Sequence, residues 1–442
     1  MKGINYSCSN CAYKTVKWLG CCPGCKEWNS FIEQLTEEKK SKFNVSKKVI
    51  TVKSLADIGD ESSQERMLSG VQEWDRVLGG GLVRGSFLIL TGDPGIGKST
   101  LLLQVAAELA KDRVVFYFSS EESLTQVKGR ANRIVRESNN LLFSDSASLE
   151  AIIATVEEKK PDIVVIDSIQ NCYSSSAQTF PGTISQLREA GFELMRLAKE
   201  NNITIIATGH ITKDGQMAGP KTLEHMVDGV FYLQGEDRWY TRILRSVKNR
   251  FGPINEVGFF EMAQNGLKEI QDINKLLLSE ISSAPGSILV SHIEGSRPLL
   301  VEMQALVVPT KFVVPQRVVT GVDHKQVVLI AAILEKYLQI KLSTHDIFFK
   351  VSNGLKIKDS SADLGIALAL LSSYFKQSLP EKSLALGEIS LTGQIRPINQ
   401  VETHIKEAKK FGIEQIYLAH NKHKAHDGQA FKSVYELVKL FQ

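Results

Sequence analysis

The sequence lacks any uninterrupted apolar stretch long enough to cross a bilayer, which takes about 20 residues. Its best apolar runs, LTGDPGIGKSTLLLQVAAELA and VVLIAAILEKYLQI, are broken by polar residues. No apolar core segment lies between Lys2 and Cys25, so we expect no signal peptide. A strong excess of one charge is also missing, because the formal net charge is +4, too small to argue for nucleic acid. These absences predict a cytoplasmic protein without a membrane partner.

Cysteine is scarce as well, with six in 442 residues, and five of the six lie between residues 8 and 25. A reducing compartment disfavours disulfides, so such a cluster indicates a metal site. The pairs Cys8-x-x-Cys11 and Cys22-x-x-Cys25 each present two thiolates from one tight turn, and two such turns close a tetrahedral Zn²⁺ site. Four ligands leave no open position, which predicts a structural zinc ion. Redox-active thiols are the alternative.

Cys21 complicates this assignment, because it could replace Cys22 as a ligand, although only Cys22 keeps the C-x-x-C spacing. We expect residues 1–30 to form a C4 zinc finger, with Trp18 and Trp28 supplying its apolar packing. Residues 31–50 are mostly polar and charged, which predicts a linker.

The strongest motif is the P-loop pattern G-x-x-x-x-G-K-S, which runs from Gly92 to Ser99. Apolar, β-prone residues precede it and helical apolar spacing starts at Lys98, which is the strand–turn–helix context that this loop requires. The glycines let successive N–H groups point at phosphate oxygens, Lys98 reaches the β- and γ-phosphates, and Ser99 binds Mg²⁺. The residues predicted to bind ATP are Gly92, Asp93, Pro94, Gly95, Ile96, Gly97, Lys98, Ser99, Thr100 and Asp167.

Carboxylates follow two further buried strands. VVFYF ends in a Ser-Ser-Glu-Glu turn, where a general base for water would sit, and we favour Glu121 over Glu122 for this role. IVVID ends in Asp167, a Walker B arrangement that places a carboxylate near Mg²⁺. His210 follows a third strand and is either a sensor of the γ-phosphate or a structural residue.

Buried strands alternate with predicted helices through this region. The predicted helices are Lys98–Lys111, Ser123–Arg136, Ser148–Lys159 and Thr183–Asn201. This alternation predicts an α/β fold, with a mostly parallel sheet covered by helices on both faces.

Two cations stand close together further on, Lys248 and Arg250 in the segment KNRFG. Residues two positions apart point to the same side of an extended segment. Electrostatic repulsion between two neighbouring cations is unfavourable unless an anion lies beside them, so the pair indicates an anion-binding position. The alternative interpretation is a basic surface exposed to solvent.

Several stretches together resemble one family. SGVQEWDRVLGGGLVRG, GDPGIGKSTLLLQ, SSEES, VVIDSIQ, TGHITKDG and KNRFG are similar to the RadA (Sms) family of bacterial DNA repair proteins, and CPGCKEWNS fits it too. The resemblance covers nearly the whole chain. It implies a zinc finger at residues 1–30, a RecA-like ATPase domain at 51–270 and an α+β, Lon-protease-like domain at 271–442.

The resemblance also implies site residues. Lys98, Ser99 and Asp167 would bind MgATP, and Glu121 matches the catalytic glutamate. Lys248 and Arg250 are further catalytic candidates, because they match residues that reach the nucleotide of a neighbouring subunit.

By the same resemblance, the chain is expected to form a homo-hexameric ring similar to DnaB-type helicases. It would bind single-stranded DNA and promote branch migration of recombination intermediates together with the recombinase RecA. We expect DNA on the loops after the strands that end at Asp167 and Thr208, with Lys213 and Lys221 as contacts.

The C-terminal part is similar to the Lon proteolytic domain, which uses a Ser–Lys dyad. Ser361 falls on the position of the dyad serine, but Glu402 takes the position of the lysine, and Lys406 lies one helical turn further on. A serine hydroxyl is a poor nucleophile until a base takes its proton. We therefore expect this domain to cut no peptide bond.

The sequence favours a DNA-dependent ATPase with ATP, Mg²⁺ and Zn²⁺ as cofactors. An ATP-dependent serine protease of the Lon type is one alternative, which the missing lysine argues against. A RecA-like regulatory ATPase without DNA translocation is another. A non-enzymatic scaffold is at odds with the complete P-loop.

Overall fold

The computed structural model describes residues 4–10, 13–35, 54, 66–134, 139–175, 180, 182–210, 223–235, 241–279, 281–421 and 428–442. They belong to two compact units, Met1–Ser62 and Ser63–Gln442. Within those ranges, no helix combines the length and the apolar character needed to span a membrane.

The first unit contains a small antiparallel sheet in the order β2–β1–β3. Its strands are β1 (Ile4–Cys8), β2 (Lys14–Thr15) and β3 (Phe31–Leu35). The buried centre is made by Cys8, Cys22 and Phe31. Trp18 and Trp28 do not supply it, so that prediction was wrong: their exposed fractions are 55% and 74%.

The second unit begins with helix α1 (Gln72–Val77), followed by a turn at Gly79–Gly81. Strands and helices then alternate. The strands are β4 (Phe87–Gly92), β5 (Val115–Ser119), β6 (Leu141–Ser144), β7 (Ile163–Asp167) and β8 (Thr204–His210). The helices are α2 (Lys98–Leu109), α3 (Leu124–Ile134), α4 (Leu149–Lys159) and α5 (Ile184–Asn201). Each helix begins within one residue of its predicted start.

Four more strands extend the sheet. They are β9 (Gly229–Gly235), β10 (Thr241–Asn249), β11 (Val257–Ala263) and β12 (Gly266–Glu269). The full order is β12–β11–β10–β9–β4–β8–β7–β5–β6. All neighbours from β9 to β6 are parallel, and β10 to β12 add an antiparallel edge. The predicted α/β sheet is therefore confirmed, with the P-loop strand β4 near its centre.

The two faces of this sheet are covered by different helices. Leu88 and Leu90 of β4 pack in one buried cluster with α2, while Phe87 and Ile89 pack in another with α4 and α5. Alternate residues of a strand point to opposite faces, so a strand buried on both faces needs an unbroken apolar run. The sequence FLIL at the start of β4 meets that need.

The C-terminal part is built on a mixed seven-stranded sheet in the order β15–β16–β14–β13–β17–β20–β21. Its strands are β13 (Ser287–Glu294), β14 (Arg297–Pro309), β15 (Arg317–Thr320), β16 (His345–Val351), β17 (Leu384–Leu386), β20 (Ile416–Ala419) and β21 (Gln429–Phe431). A separate antiparallel hairpin pairs β18 (Glu388–Ile389) with β19 (Ile395–Arg396). The helices are α6 (Ile273–Leu277), α7 (His324–Leu338), α8 (Asp363–Phe375) and α9 (Val401–Lys410).

The antiparallel edge of the nine-stranded sheet shares its core with the C-terminal part. Ile243 of β10 and Phe259 of β11 belong to one buried cluster with Leu368 of α8. Nη1 of Arg297, at the start of β14, donates to the buried Glu73 carboxylate on α1 over 2.6 Å, and its guanidinium lies 5.0 Å from the centre of the Phe259 ring. The second unit is therefore one folded body across these elements.

Candidate functional site

The P-loop connects the carboxyl end of β4 to the first turn of α2. Gly97 precedes the helix with a φ of 113°, in the left-handed region that favours glycine. Gly92 is required for space, because a Cβ there would lie 2.3 Å from the carbonyl oxygen of Leu233. The backbone conformation that would let the loop amides face a phosphate thus depends on residues without side chains.

Lys98 is the buried cation of the site. Its Nζ donates to the carbonyl oxygens of Gly92 and Asp93 over 2.8 and 3.0 Å. Burial lowers the pKa of Lys98, and the carboxylates of Glu121, Asp167 and Asp93 oppose that shift. The structure therefore brings the predicted phosphate-binding lysine near the predicted general base Glu121, which follows β5, and near the predicted Mg²⁺ ligand Asp167, which ends β7.

Asp167 is held by two hydroxyl groups that sequence reasoning missed. Tyr117 on β5 donates to its Oδ2 over 2.8 Å, and Thr208 on β8 donates to its Oδ1 over 2.7 Å. Burial and the nearby Asp167 carboxylate raise the pKa of Tyr117 well above its usual range, so this hydroxyl keeps its proton and remains a donor. A tyrosine inside a buried strand needs a partner for its hydroxyl, and that is the signal that could have identified it.

The two glutamates after β5 have different surroundings. Glu122 forms an ion pair with Arg130. Glu121 accepts a hydrogen bond from the hydroxyl of Ser168, and its charge acts on Lys98. Ser120 fixes this arrangement, since its Oγ donates to the Ser168 carbonyl over 2.9 Å and accepts from the Ser168 N–H over 3.0 Å. This geometry favours Glu121 as the general base, and the assignment stays a prediction.

Lys248 and Arg250 lie near the amino end of β4, at the end of the strands opposite to the P-loop. Arg250 Nη1 is 3.2 Å from Oδ1 of the buried Asp228, and Lys248 Nζ donates to the Val227 carbonyl over 2.8 Å. Asp228 also accepts from the N–H of Phe87, the first residue of β4. Both cations thus meet the same short segment, as their spacing predicts.

The length of β4 separates this pair from the P-loop of the same chain. The strand has six residues, and a strand of that length spans about 17–20 Å. Lys248 and Arg250 therefore stand far from the phosphates that their own P-loop would bind. If they contact a nucleotide, it belongs to another subunit.

The thiols of Cys8, Cys22 and Cys25 form the candidate metal centre. Their Sγ atoms all lie within 4.8 Å of one another, and those of Cys8 and Cys25 are 3.6 Å apart. Thiolates about 2.3 Å from one zinc ion at tetrahedral angles would be about 3.8 Å apart, so this set fits zinc. Cys11, the predicted fourth ligand, lies outside the described residues. Cys22 contributes its thiol to this cluster and Cys21 does not, which favours Cys22 as the ligand.

Zinc content tests this choice between adjacent cysteines. We expect Cys22→Ser to lose the metal, because it removes a thiolate that faces Cys8 and Cys25, and Cys21→Ser to keep about one zinc ion per chain. The measurement is elemental analysis of protein purified without chelator. The matched control is built in, since both variants make the same chemical change. Equal zinc content in the two variants would contradict the assignment.

The C-terminal part holds no serine–base pair around Ser361 among the described residues. Ser361 is buried, its N–H donates to Asp359 Oδ1 over 3.0 Å, and its hydroxyl has no hydrogen-bond partner in the described chain. Glu402, which takes the lysine position, is exposed on α9. His404 is one of three buried side chains of α9, with Ile405 and Ala408, and its Nδ1 is 2.7 Å from the Ser291 hydroxyl.

Burial lowers the pKa of His404 to about 4, so this histidine is neutral at neutral pH. Without a partner for the Ser361 hydroxyl, the geometry gives no support to peptide hydrolysis.

Some predicted residues cannot be placed. Lys213 and Lys221 lie outside the described residues, and so does the side chain of His210, although its backbone ends β8.

Comparison with known proteins identifies three family models that match this chain. An AAA domain matches residues 62–216, the subunit ChlI of Mg-chelatase matches residues 321–422, and the rubredoxin metal binding domain matches residues 6–33. The last range contains both predicted cysteine pairs.

Whole-length relatives are also found. The DNA repair protein RadA of Listeria monocytogenes is 44% identical over 420 residues, which cover 94% of this chain and 92% of that protein. The DNA repair protein RadA of Halalkalibacterium halodurans is 42% identical over 423 residues, with coverages of 94% and 92%. Among solved structures, the RadB recombinase is 19% identical, with a TM-score of 0.36 over 46% of this chain and 99% of its own length, a similarity too low to carry an argument.

Proposed function

Because this chain belongs to the RadA family of DNA repair proteins, we propose that it is a DNA-dependent ATPase of homologous recombination. In this proposal it assembles as a hexameric ring, binds single-stranded DNA, and promotes branch migration of recombination intermediates formed by the recombinase RecA. The observation that carries the proposal is the position of Lys248 and Arg250 near the amino end of β4, whereas the P-loop follows its carboxyl end. A site divided in this way is complete only between two subunits.

Binding of ATP falls to the P-loop. The N–H groups between Gly92 and Ser99 and the ammonium group of Lys98 would hold the phosphates. Ser99 and Asp167 would hold Mg²⁺, which neutralises developing charge on the phosphate oxygens. Tyr117 and Thr208 keep the Asp167 carboxylate oriented for that role through hydrogen bonds of 2.8 and 2.7 Å.

Hydrolysis needs a base for water and a cation for the transition state. Glu121 takes the proton of the attacking water, and Ser168 orients its carboxylate. Arg250 and Lys248 of the neighbouring subunit stabilise the charge on the transferred phosphoryl group, as an arginine finger does. To do so, Arg250 leaves Asp228, which keeps Lys199 (3.2 Å) as its second cation.

DNA-stimulated hydrolysis is the test. We expect single-stranded DNA to increase the ATPase rate of the wild-type protein, and the stimulation to fall steeply with salt because the contacts are to phosphates. The double variant Lys213→Ala/Lys221→Ala should bind single-stranded DNA more weakly. Electron microscopy with a slowly hydrolysed ATP analogue and single-stranded DNA should show a ring threaded by the strand. A rate that single-stranded DNA leaves unchanged would instead favour a regulatory ATPase.

A further inference from the structure

The antiparallel edge of the nine-stranded sheet lies beside the P-loop. Strand β9 pairs with β4 so that Leu233 lies opposite Gly92, the first residue of the loop, and β9 continues for two more residues, to Gly235. Strand β10 runs back along β9, with Arg242 opposite Gly235. Arg242 therefore lies at the same end of the sheet as the P-loop.

The side chain of Arg242 contacts the loop from the face that α2 covers. Leu244, two residues further along β10, belongs to the buried cluster that contains the apolar residues of α2, and alternate residues of a strand point to the same face. The Nε of Arg242 donates to the carbonyl oxygen of Ile96 over 3.2 Å, and its Nη1 donates to the carbonyl oxygen of Thr241 over 3.2 Å. One guanidinium group thus joins the P-loop to β10.

The hydrogen bond to Ile96 fixes the direction of the peptide group between Ile96 and Gly97. A trans peptide unit is planar, so its C=O and its N–H point in opposite directions. Because Arg242 holds the Ile96 carbonyl, the N–H of Gly97 points away from the guanidinium group. Successive N–H groups of a P-loop bind the phosphates of a nucleotide, and Gly97 belongs to that loop.

Gly97 depends on such a contact because it is glycine. Glycine tolerates several backbone conformations, so this peptide unit can rotate without a steric penalty from a Cβ. Met262 and Leu267 also reach it, since a Cβ at Gly97 would lie 3.0 Å from Met262 Cε and 3.3 Å from Leu267 Cδ1. Apolar contacts are non-directional, whereas a hydrogen bond from a charged donor is directional and about twice as strong as a neutral one. The direction of the Gly97 N–H therefore depends on Arg242.

We propose that Arg242 is a positioning residue for nucleotide binding: by holding the Ile96 carbonyl, it turns the Gly97 N–H toward the β-phosphate of ATP or ADP. This inference rests on the proposed function, which assigns ATP to the P-loop. Arg242 itself does not touch the nucleotide. Its contribution is equal for ATP and ADP, because both carry the β-phosphate, and it is equal in the ground state and the transition state of hydrolysis.

Two variants separate this role from a role of the positive charge. Arg242→Met keeps a long unbranched side chain but has no donor. Arg242→Gln is also uncharged, but it carries an amide donor, Nε2, at the same place along the side chain as the arginine Nε. We expect Arg242→Met to bind ATP and ADP about 10-fold more weakly than the wild type, and Arg242→Gln to bind both nearly as well as the wild type. The measurement is equilibrium binding of fluorescent analogues of the two nucleotides.

Steady-state kinetics supplies a second readout. A contact that stabilises the ground state and the transition state equally lowers KM without changing kcat, so Arg242→Met should show a KM about 10-fold higher and the kcat of the wild type. Lys268→Met is the matched control, because it removes an exposed cation from β12 of the same antiparallel edge. It should equal the wild type in both measurements.

Four results would overturn the inference. Wild-type affinity in Arg242→Met shows that the Ile96 carbonyl needs no support. Equal losses of affinity in the methionine and glutamine variants, with or without a lower melting temperature, show that the donor to Ile96 is not what matters. A larger loss for ATP than for ADP shows that the charge acts on the γ-phosphate, and a lower kcat at unchanged KM shows that Arg242 belongs to the chemistry. If the wild-type protein binds neither nucleotide, the proposed function fails as well, which distinguishes the two failures.

Discussion

Replacing Arg250 by alanine is expected to reduce ATP hydrolysis by about 10³-fold or more and to leave ATP binding nearly intact, since an arginine finger contributes about 10³–10⁵ in rate. The structure of the P-loop in the same chain should not change, because Arg250 lies at the opposite end of β4. Folding should also survive, because Asp228 keeps its contacts with Lys199 and with the N–H of Phe87. The measurements are steady-state hydrolysis and equilibrium binding of a fluorescent ATP analogue.

Mixing two inactive variants tests whether the site is shared. In the proposed ring, Arg250→Ala and Glu121→Gln would remove groups from opposite sides of an interface. Mixed rings would then contain some interfaces with both groups intact and should recover activity. Arg84→Ala is the control for charge, because Arg84 is an exposed arginine that pairs with Asp162 on the surface. Absence of recovery at every mixing ratio would rule out a site completed by the neighbour.

Replacing Lys98 by alanine should lower ATP hydrolysis by at least about 10²–10³-fold, the usual effect of removing one donor to the charge that develops in a transition state. This variant differs from Arg250→Ala because it should weaken nucleotide binding too, since the ammonium group would face the phosphates in both the ground state and the transition state. The burial of Lys98 and its contacts with the Gly92 and Asp93 carbonyls place it where those phosphates would lie.

Lys111→Ala provides a matched control in the same segment. Lys111 lies just beyond the other end of α2, is largely exposed, and pairs with Glu108. We expect its hydrolysis rate and melting temperature to equal those of the wild type. Because alanine at position 98 leaves a buried gap, Lys98→Met is measured alongside it. Wild-type turnover in either Lys98 variant would disprove the P-loop assignment.

Local constraints explain what the sequence could predict. Gly92 and Gly97 stand where no other residue fits, so the P-loop is recognisable without any knowledge of the rest of the fold. Helix starts were predicted closely for a similar reason: the side chains of Ser148 and Thr183 accept hydrogen bonds from N–H groups of the first turn, and these caps are visible in the sequence.

What escaped prediction depends on residues far apart in the chain. Tyr117 and Thr208 meet Asp167 only because β5 and β8 both lie beside β7 in the sheet. In α9, sequence matching pointed to Glu402, whereas packing turns His404 inward. The partner of His404 is Ser291, which lies 113 residues away in the chain.

The shared core between the ATPase sheet and the C-terminal part has a thermodynamic consequence. Phe259 of β11 and Leu368 of α8 lose the same buried neighbours if either part opens, and Glu73 would be left buried without the Arg297 guanidinium. Neither part can melt by itself at low cost, so Ser63–Gln442 behaves as one cooperative unit. Free energy gained when ATP binds at the P-loop is then added to the stability of α8 and β14 as well, so a nucleotide protects a region that it never touches.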